Sequence, residues 1–409
     1  MRRLIDFQKT KTLWIYPSAL DSFTYNAAFL NALRQFAEFE QVTVITIRPK
    51  DVSHIKIPQV RMIFVPLRFV PVISRIMFSI IQLFVLPFFV VISKPDYVIL
   101  GPDISTVSSL PALLISKFTK SKFVLDIRSA PVDLVGFQDF LSRFTFSLSI
   151  LIARKAFDGM TIITSLMKDE ICNNYKIDPD KVGVWTSGVS ESLFNPENFS
   201  SVGVELRRKL GLTGKFIVFY HGVFTATRGL QETTASIKIL QPTYPSIVFF
   251  LLGSGPIVTM QEELIQKEGL RENVIIHNPV DQSEVPKFIS MCDVCIVPLP
   301  NHPYWRAQSP LKLLEYLAME KVVILTDIPA HRAVIGDAKC GLYIWSIKPA
   351  EIAKAIEYAY VNKKNLEKWG KTGRKIIKEQ FTWKKAAMDL ESYLLSIDNV
   401  STFDNLAAH

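Results

Sequence analysis

At 409 residues the chain is long enough for two or three domains, each with a core of its own. Hydrophobic residues at 49% against charged residues at 21% exclude a disordered chain, and four cysteines exclude a disulfide scaffold and suit a reducing compartment. The net charge of +9 is uneven: residues 1–190 hold 22 Lys and Arg against 15 Asp and Glu, while residues 191–409 hold 25 against 23. The basic residues form no run longer than Arg207-Arg208-Lys209 and do not interleave with aromatics, so nucleic acid is not the expected partner. An anionic membrane surface is, because the most apolar stretch lies in the same half.

Residues 1–11 lack the long apolar run of a secretory leader, so a cytoplasmic protein is expected. Continuous apolar runs then alternate with helical patterns. In the first half the runs are Thr12–Tyr16, Val42–Ile47, Met62–Leu67, Tyr97–Gly101, Phe123–Ile127 and Met160–Thr164. In the second they are Phe216–Gly222, Ile247–Gly253, Val274–Asn278, Val294–Leu299, Val322–Thr326 and Gly341–Trp345. Runs of this kind read as strands buried on both faces, and strand–helix alternation gives βαβ units. Two sets of six predict an α/β protein of two facing Rossmann-like, doubly wound domains with a cleft between them. The turn-rich segment from Trp185 to Asn198 sets the boundary: residues 1–190 form the first domain and 191–383 the second. Helix 384–397 is expected to return to the first domain, and 398–409 to form a flexible tail.

Ile76–Ser93 is charge-free over 18 residues, the lower limit for a membrane span, and holds Gln82, Pro87 and the aromatics Phe78, Phe84, Phe88 and Phe89. It reads as a helix partly buried against a sheet and partly offered to a membrane, rather than as a span. Peripheral attachment to the inner membrane face is therefore expected.

Three loops after strands carry candidate chemistry. His221 and Gly222 end a strand and lead through Arg228-Gly229 into a helix, so amides and a guanidinium can meet an anion. Gly253-Ser254-Gly255-Pro256 follows the next strand and lacks the third glycine of a dinucleotide fingerprint. Ser309 is a good N-cap with Pro310 at the first helical position. The free amides of that first turn, with Lys312 beside them and Glu315 one turn deeper, suit a diphosphate. Each loop also has a plain reading as a solvated turn or cap. Asp178-Pro179-Asp180 reads as a turn or cap, and Cys292-x-x-Cys295 as small buried residues, since neither has a second ligand pair nearby.

Taken in order, these motifs resemble the retaining GT-B glycosyltransferases of the large fourth, group 1 family, which use sugar nucleotides. The resemblance is carried by Ala156-Phe157-Asp158-Gly159-Met160-Thr161, Ser187-Gly188-Val189 through Phe194-Asn195-Pro196, His221-Gly222 with Arg228-Gly229, and Gly253-Ser254-Gly255-Pro256. It continues through Met291–Pro298, Ser309-Pro310-x-Lys312-x-x-Glu315-Tyr316-x-Ala318 and Phe381-Thr382-Trp383. It implies transfer of a hexosyl or N-acetylhexosaminyl group from a nucleoside diphosphate to a hydroxyl, with retention and without a metal or other cofactor. The implied acceptor is a lipid-linked or cell-surface glycan precursor.

The resemblance implies Arg228, Lys312 and His221 at the leaving diphosphate, where preorganised charge counts most. It implies donor contacts from Gly222, Gly229, Gly253, Gly255, Asn278, Val280, Gln308, Ser309, Pro310, Leu311 and Leu313, with Glu315 on the ribose. On the acceptor side it points to Ser18, Asp126, Arg128 and Ser129. The chain departs from the pattern at Ala307, where members of the family carry a glutamate that touches the sugar, so Trp305, Arg306 or Gln308 takes that task. Glu320 stands where a helix-ending glycine is usual, and Pro17-Ser18-Ala19-Leu20-Asp21 replaces a glycine-rich acceptor loop. Two alternatives compete: a catalytically degenerate membrane scaffold of the same fold, and a nucleotide-sugar epimerase, which would need a carboxylate cluster that the sequence does not show.

Overall fold

A computed structural model describes residues 10–20, 24–49, 57–68, 70, 72–132 and 136–407. Asp21 of the expected acceptor loop and residues 1–9 lie outside the described residues. The chain divides into two compact units, Met1–Thr186 with Trp383–His409, and Ser187–Thr382.

The first unit runs β1 (Lys11–Ala19), α1 (Thr24–Phe36), β2 (Gln41–Ile47), β3 (Val60–Val65), α2 (Ile73–Ser93), β4 (Tyr97–Leu100), α3 (Ile104–Ser108), α4 (Leu110–Thr119), β5 (Lys122–Ile127), α5 (Gly136–Ala156), β6 (Gly159–Ile162), α6 (Ser165–Tyr175) and β7 (Val182–Val184). The strands form one parallel sheet in the order β3-β2-β1-β4-β5-β6-β7. The order reverses between β1 and β4, where Thr12 lies between Val42 and Tyr97. Every residue of β4 and β6 is buried, as continuous apolar runs require. β7 is three residues around Gly183, too short to give a periodic signal of its own. β1 runs on through Ala19, so Pro17 and Ser18 belong to the strand end rather than to a loop. Pro17 has no N–H to give the ladder, and the register with β2 shifts between Tyr16 and Ala19.

The second unit runs α7 (Ser200–Lys209), β8 (Phe216–Val223), α8 (Leu230–Leu240), β9 (Ile247–Ser254), α9 (Val258–Lys267), β10 (Val274–His277), α10 (Val285–Ser290), β11 (Val294–Val297), α11 (Pro303–Arg306), α12 (Leu311–Ala318), β12 (Val322–Thr326), α13 (Pro329–Ile335), β13 (Gly341–Ile344), α14 (Pro349–Val361) and α15 (Lys363–Gln380). Its parallel sheet has the order β10-β9-β8-β11-β12-β13, the doubly wound arrangement, with its switch point between β8 and β11. The core joins Val218, Phe249, Val294 and Ile324 of the sheet to Ile237 of α8 and Ile352 and Ile356 of α14.

Arg374 of α15 ties the entry of this unit to the end of α12. Its guanidinium donates to Phe194 O (3.1 Å), Asn195 Oδ1 (2.9 Å) and Ala318 O (2.5 Å). Glu320, just past α12, takes φ 57° without being glycine, at a cost of order 1 kcal/mol. Arg374 Nε lies 3.8 Å from its carboxylate.

The last helix, α16 (Trp383–Ala407), packs on α1 and β7 of the first unit. It continues beyond residue 397, where a tail was expected, because no glycine or proline interrupts Trp383–Ala407. Tyr97 OH donates to Leu394 O (2.9 Å), Tyr393 OH donates to Lys181 O (2.6 Å), and Met160 N–H donates to Tyr393 OH (3.1 Å). Tyr393→Phe removes one donor and one acceptor at once and leaves two backbone groups without their partner. The expected loss is about 1–3 kcal/mol of unfolding free energy, read from a denaturant midpoint at unchanged m-value.

Candidate functional site

The candidate residues of the second unit converge at the carboxyl end of β8, beside its switch point. There His221 is buried and both of its ring nitrogens are engaged. The backbone N–H of His221 donates to Tyr316 OH (2.9 Å), and that hydroxyl lies 3.0 Å from Nδ1. A hydroxyl that already accepts an N–H has its own proton to give, so Nδ1 is the acceptor and Nε2 carries the ring proton. Nε2 then donates to Glu315 Oε2 at 2.9 Å. Burial holds the Tyr316 phenol well above its usual value, which keeps that proton in place. Both ring nitrogens of His221 thus meet neighbours on α12, Tyr316 and Glu315.

Glu315 and Tyr316 lie on α12, as does Lys312. Lys312 Nζ donates to Tyr220 OH (2.9 Å), sits 4.3 Å from the centre of that ring and borders Gly222. Tyr220 and Tyr316 lie within apolar runs and read from sequence as core. Only the fold shows that their hydroxyls orient Lys312 and His221.

The start of α12 departs from the expectation. Pro310, at ψ 78°, is the cap residue, so helical geometry begins at Leu311, and Ser309 makes no side-chain cap bond. Leu311 N–H donates to Ser309 O (3.0 Å) and Leu313 N–H to Pro310 O (2.9 Å), so the first turn does not present a row of free amides. Leu313 is wholly buried, which leaves its side chain to the core. Gln308, Ser309, Pro310 and Leu311 are half-buried.

Arg228 closes a 3-10 turn, Ala226–Arg228, and its guanidinium lies over the Trp305 ring, 5.0 Å from the centre. Gly229 follows at φ 67°, and a Cβ there would run into Pro298 O. Gly253, at φ 148°, would likewise drive a Cβ into Gly222 O, so the ends of β8 and β9 close only on glycine. Gly255 packs on the Phe224 backbone, while Asn278 and Val280 follow β10 at the sheet edge, exposed and half-buried respectively.

Ala307 is buried, and of its neighbours Arg306 is exposed and donates to Asn301 Oδ1 (2.8 Å). Trp305 is different, because its buried indole N–H has no partner among the described residues. A second orphan is His331 Nε2 on α13; Nδ1 of that ring lies 2.8 Å from Thr326 O and donates to it. Sequence offered no signal for His331 beyond its place in a loop after a strand.

Among the acceptor-side candidates of the first unit, Asp126 and Arg128 are engaged with neighbours in that unit. Asp126 Oδ1 accepts from Thr161 Oγ1 (2.8 Å) and Trp185 Nε1 (2.9 Å), and burial pushes its carboxyl up. Arg128 stacks 3.6 Å from the Trp185 ring centre and donates to Trp185 O (2.6 Å), and burial lowers it to about 10. Both therefore fix Trp185, next to the end of the unit. Ser18 O accepts from Thr46 Oγ1 (2.5 Å), and Ser129 is half-buried. Asp178 caps the turn Pro179–Lys181 by accepting from Asp180 N–H at 3.0 Å. Cys292 and Cys295 are free and buried.

Burial lowers His331 from 6.5 to about 4, so the folded protein keeps it neutral. Its contribution to stability is complete above pH 6.5 and is lost as pH falls through about 4. His331→Asn preserves a donor toward Thr326 O but does not titrate. Thermal unfolding of the parent is expected to weaken between pH 6.5 and 4 more steeply than that of the variant.

Comparison with known proteins follows this geometry. Residues 204–376, within the second unit, match the family model described as glycosyl transferases group 1. The alpha-D-kanosaminyltransferase of Streptomyces kanamyceticus is 23% identical over 199 residues, 49% of this chain and 50% of that protein. The chain thus spans about half the length of the curated relatives it matches. Among solved structures, Anabaena HepE in complex with UDP-glucose superposes with a TM-score of 0.73 at 12% identity, covering 94% of this chain and 99% of that one. WaaG, a glycosyltransferase involved in lipopolysaccharide biosynthesis, does so with a TM-score of 0.69 at 15% identity, covering 93% and 98%. These likenesses establish the fold as that of the GT-B glycosyltransferases. Within the second unit, residues 204–376 are thus similar to the glycosyl transferases of group 1.

Proposed function

We propose that the protein transfers a sugar from a nucleoside-diphosphate sugar to an acceptor hydroxyl with retention of the anomeric configuration. The observation that carries this reading is the placement of Lys312 and Glu315, on one face of α12, against Tyr220, His221 and Gly222 at the carboxyl end of β8. In this scheme Lys312 and Arg228 offset the charge that grows on the departing β-phosphate, and no metal is needed. With the first-turn amides of α12 engaged, these side chains carry most of that task. Glu315, held by His221 through Oε2, offers Oε1 to the ribose hydroxyls. Trp305, beside Arg228 and two residues before Ala307, offers its indole N–H to the sugar. The departing phosphate helps to take the acceptor proton.

The acceptor in this reading is a lipid-linked or cell-surface glycan precursor at the inner face of a membrane. The apolar helix α2 and the basic first half of the chain support it.

Nucleoside diphosphates and their sugars should raise the Tm, by the equivalent of ~2.7 kcal/mol at 100 times Kd. Arg228→Ala and Lys312→Ala are each expected to lower kcat/KM by an amount corresponding to roughly 2–4 kcal/mol. Unchanged kcat/KM in both variants sinks the donor assignment.

A second measurement isolates Glu315. In Glu315→Gln the donor KM should rise, and the preference for a ribose donor over its 2′-deoxy analogue should shrink. Equal discrimination by variant and parent removes Glu315 from the ribose.

A further inference from the structure

Three helices of the first unit turn large apolar side chains outward. On α2 the buried positions are Ser74, Phe78, Ser79, Gln82, Leu86 and Val90, three of them polar. Its exposed positions include Ile73, Ile76, Met77, Ile80, Phe84, Phe88, Val91 and Ile92, a stripe that follows the helical repeat over the whole length. On α4, Leu110, Leu114 and Phe118 are exposed at a spacing of four, while Ala112, Leu113 and Ser116 are buried. On α5, Phe137, Phe140, Phe144 and Leu151 are exposed, while Ser149, Ile150 and Ala153 are buried. The exposures are large: 89% for Phe118, 81% for Ile92, 75% for Phe137 and 70% for Phe88.

Topology places these stripes together. The connection through α1 runs from β1 toward one sheet edge, whereas those through α2, α4 and α5 run toward the other. Right-handed crossovers therefore put α2, α4 and α5 in one layer on one sheet face. α2 packs against α3 and α4, and α3 packs against α5. An apolar surface on this scale marks a site of interaction.

The charges around it select the partner. The exposed basic residues Arg75, Lys94, Lys117, Lys120, Arg154 and Lys155 lie on these helices or just past their ends. Asp139 is the one acidic residue within the three helices, and Arg143 Nε donates to both of its oxygens at 2.9 and 2.8 Å. A face that is apolar at its centre and cationic around it complements anionic phospholipid.

We propose that α2, α4 and α5 together form a plate that lies flat on an anionic bilayer. The inference deepens the membrane part of the function proposed above and rests on it only for the class of surface. Although α2 has 21 residues, enough for ~30 Å, it stays in the fold. Gln82 Nε2 donates to Ser105 O (2.8 Å), and Phe78, Leu86 and Val90 share a core with Leu13, Ile15 and Val98 of the sheet.

The test uses the full chain with vesicles of phosphatidylcholine, with and without phosphatidylglycerol. The protein should sediment with the anionic vesicles at low salt and be largely released at high salt or from the neutral ones. Two double variants away from α2, Leu114→Ser with Phe118→Ser and Phe137→Ser with Phe140→Ser, should each weaken partitioning at least tenfold. Lys117→Glu with Lys120→Glu should do the same on anionic vesicles alone. Thermal stabilisation by whichever nucleoside diphosphate stabilises the parent should persist in all three, which shows that the variants fold. Parent protein that ignores anionic vesicles at low salt overturns the plate, as do serine variants that bind like the parent. So does extraction by detergent alone, which means a span, or a dimer in sedimentation equilibrium that the serine variants dissolve. A chain that binds a nucleoside diphosphate but no vesicles defeats this inference and leaves the donor reading standing. One that binds vesicles but no sugar nucleotide does the reverse.

Discussion

The second unit depends on one buried polar contact, the hydrogen bond from His221 to Glu315. Neither group meets enough water to satisfy itself, so each needs the other. Leaving one unpaired inside the unit costs about 1–3 kcal/mol, more if it is charged. The contact fixes the rotation of α12 relative to β8, because Tyr316, the next residue, meets Nδ1 and the backbone N–H of the same histidine. Once that rotation is set, Lys312 falls one turn back from Glu315 and against Gly222.

The close approach of backbone around this contact has the same effect. Gly229 and Gly253 bring the turn before α8 onto Pro298 and β9 onto β8 nearer than a Cβ would allow. Arg374 locks the far end of α12 to the segment entering the unit. The helix that carries Lys312 and Glu315 is therefore held at both ends, so neither residue needs a flexible approach to its place.

The two units use burial in different ways. In the second, apolar faces turn inward and the polar groups of interest gather at the strand ends. In the first, α2, α4 and α5 bury serines and a glutamine alongside their apolar core residues and leave a further set of aromatic and aliphatic side chains outside. Water disfavours such a surface at about 25 cal/mol per Å² of apolar area, and only a partner that is itself apolar removes the cost. Meanwhile α16 covers the face of the sheet that carries α1.

Sequence by itself determined twelve of the described strands, though not β7, and with them the parallel pairing and the order of the motifs. Runs such as Val98-Ile99-Leu100 and Val322–Leu325 are apolar at every position, and only a sheet covered on both faces buries them all. It also placed Lys312 and Glu315 one helical turn apart, since that spacing is a property of the chain. Tertiary structure decided what those residues touch. The role of His221 depends on Tyr316 and Glu315, more than ninety positions away. The orphaned Trp305 and His331 nitrogens depend on neighbours that never arrive. Asp126 and Arg128 are drawn to Trp185, nearly sixty positions on, and so brace the end of the first unit. The buried face of α2 was likewise hidden, because a helix apolar almost all round has no periodicity from which to choose it. Only packing, through Gln82 and Ser105, chose it.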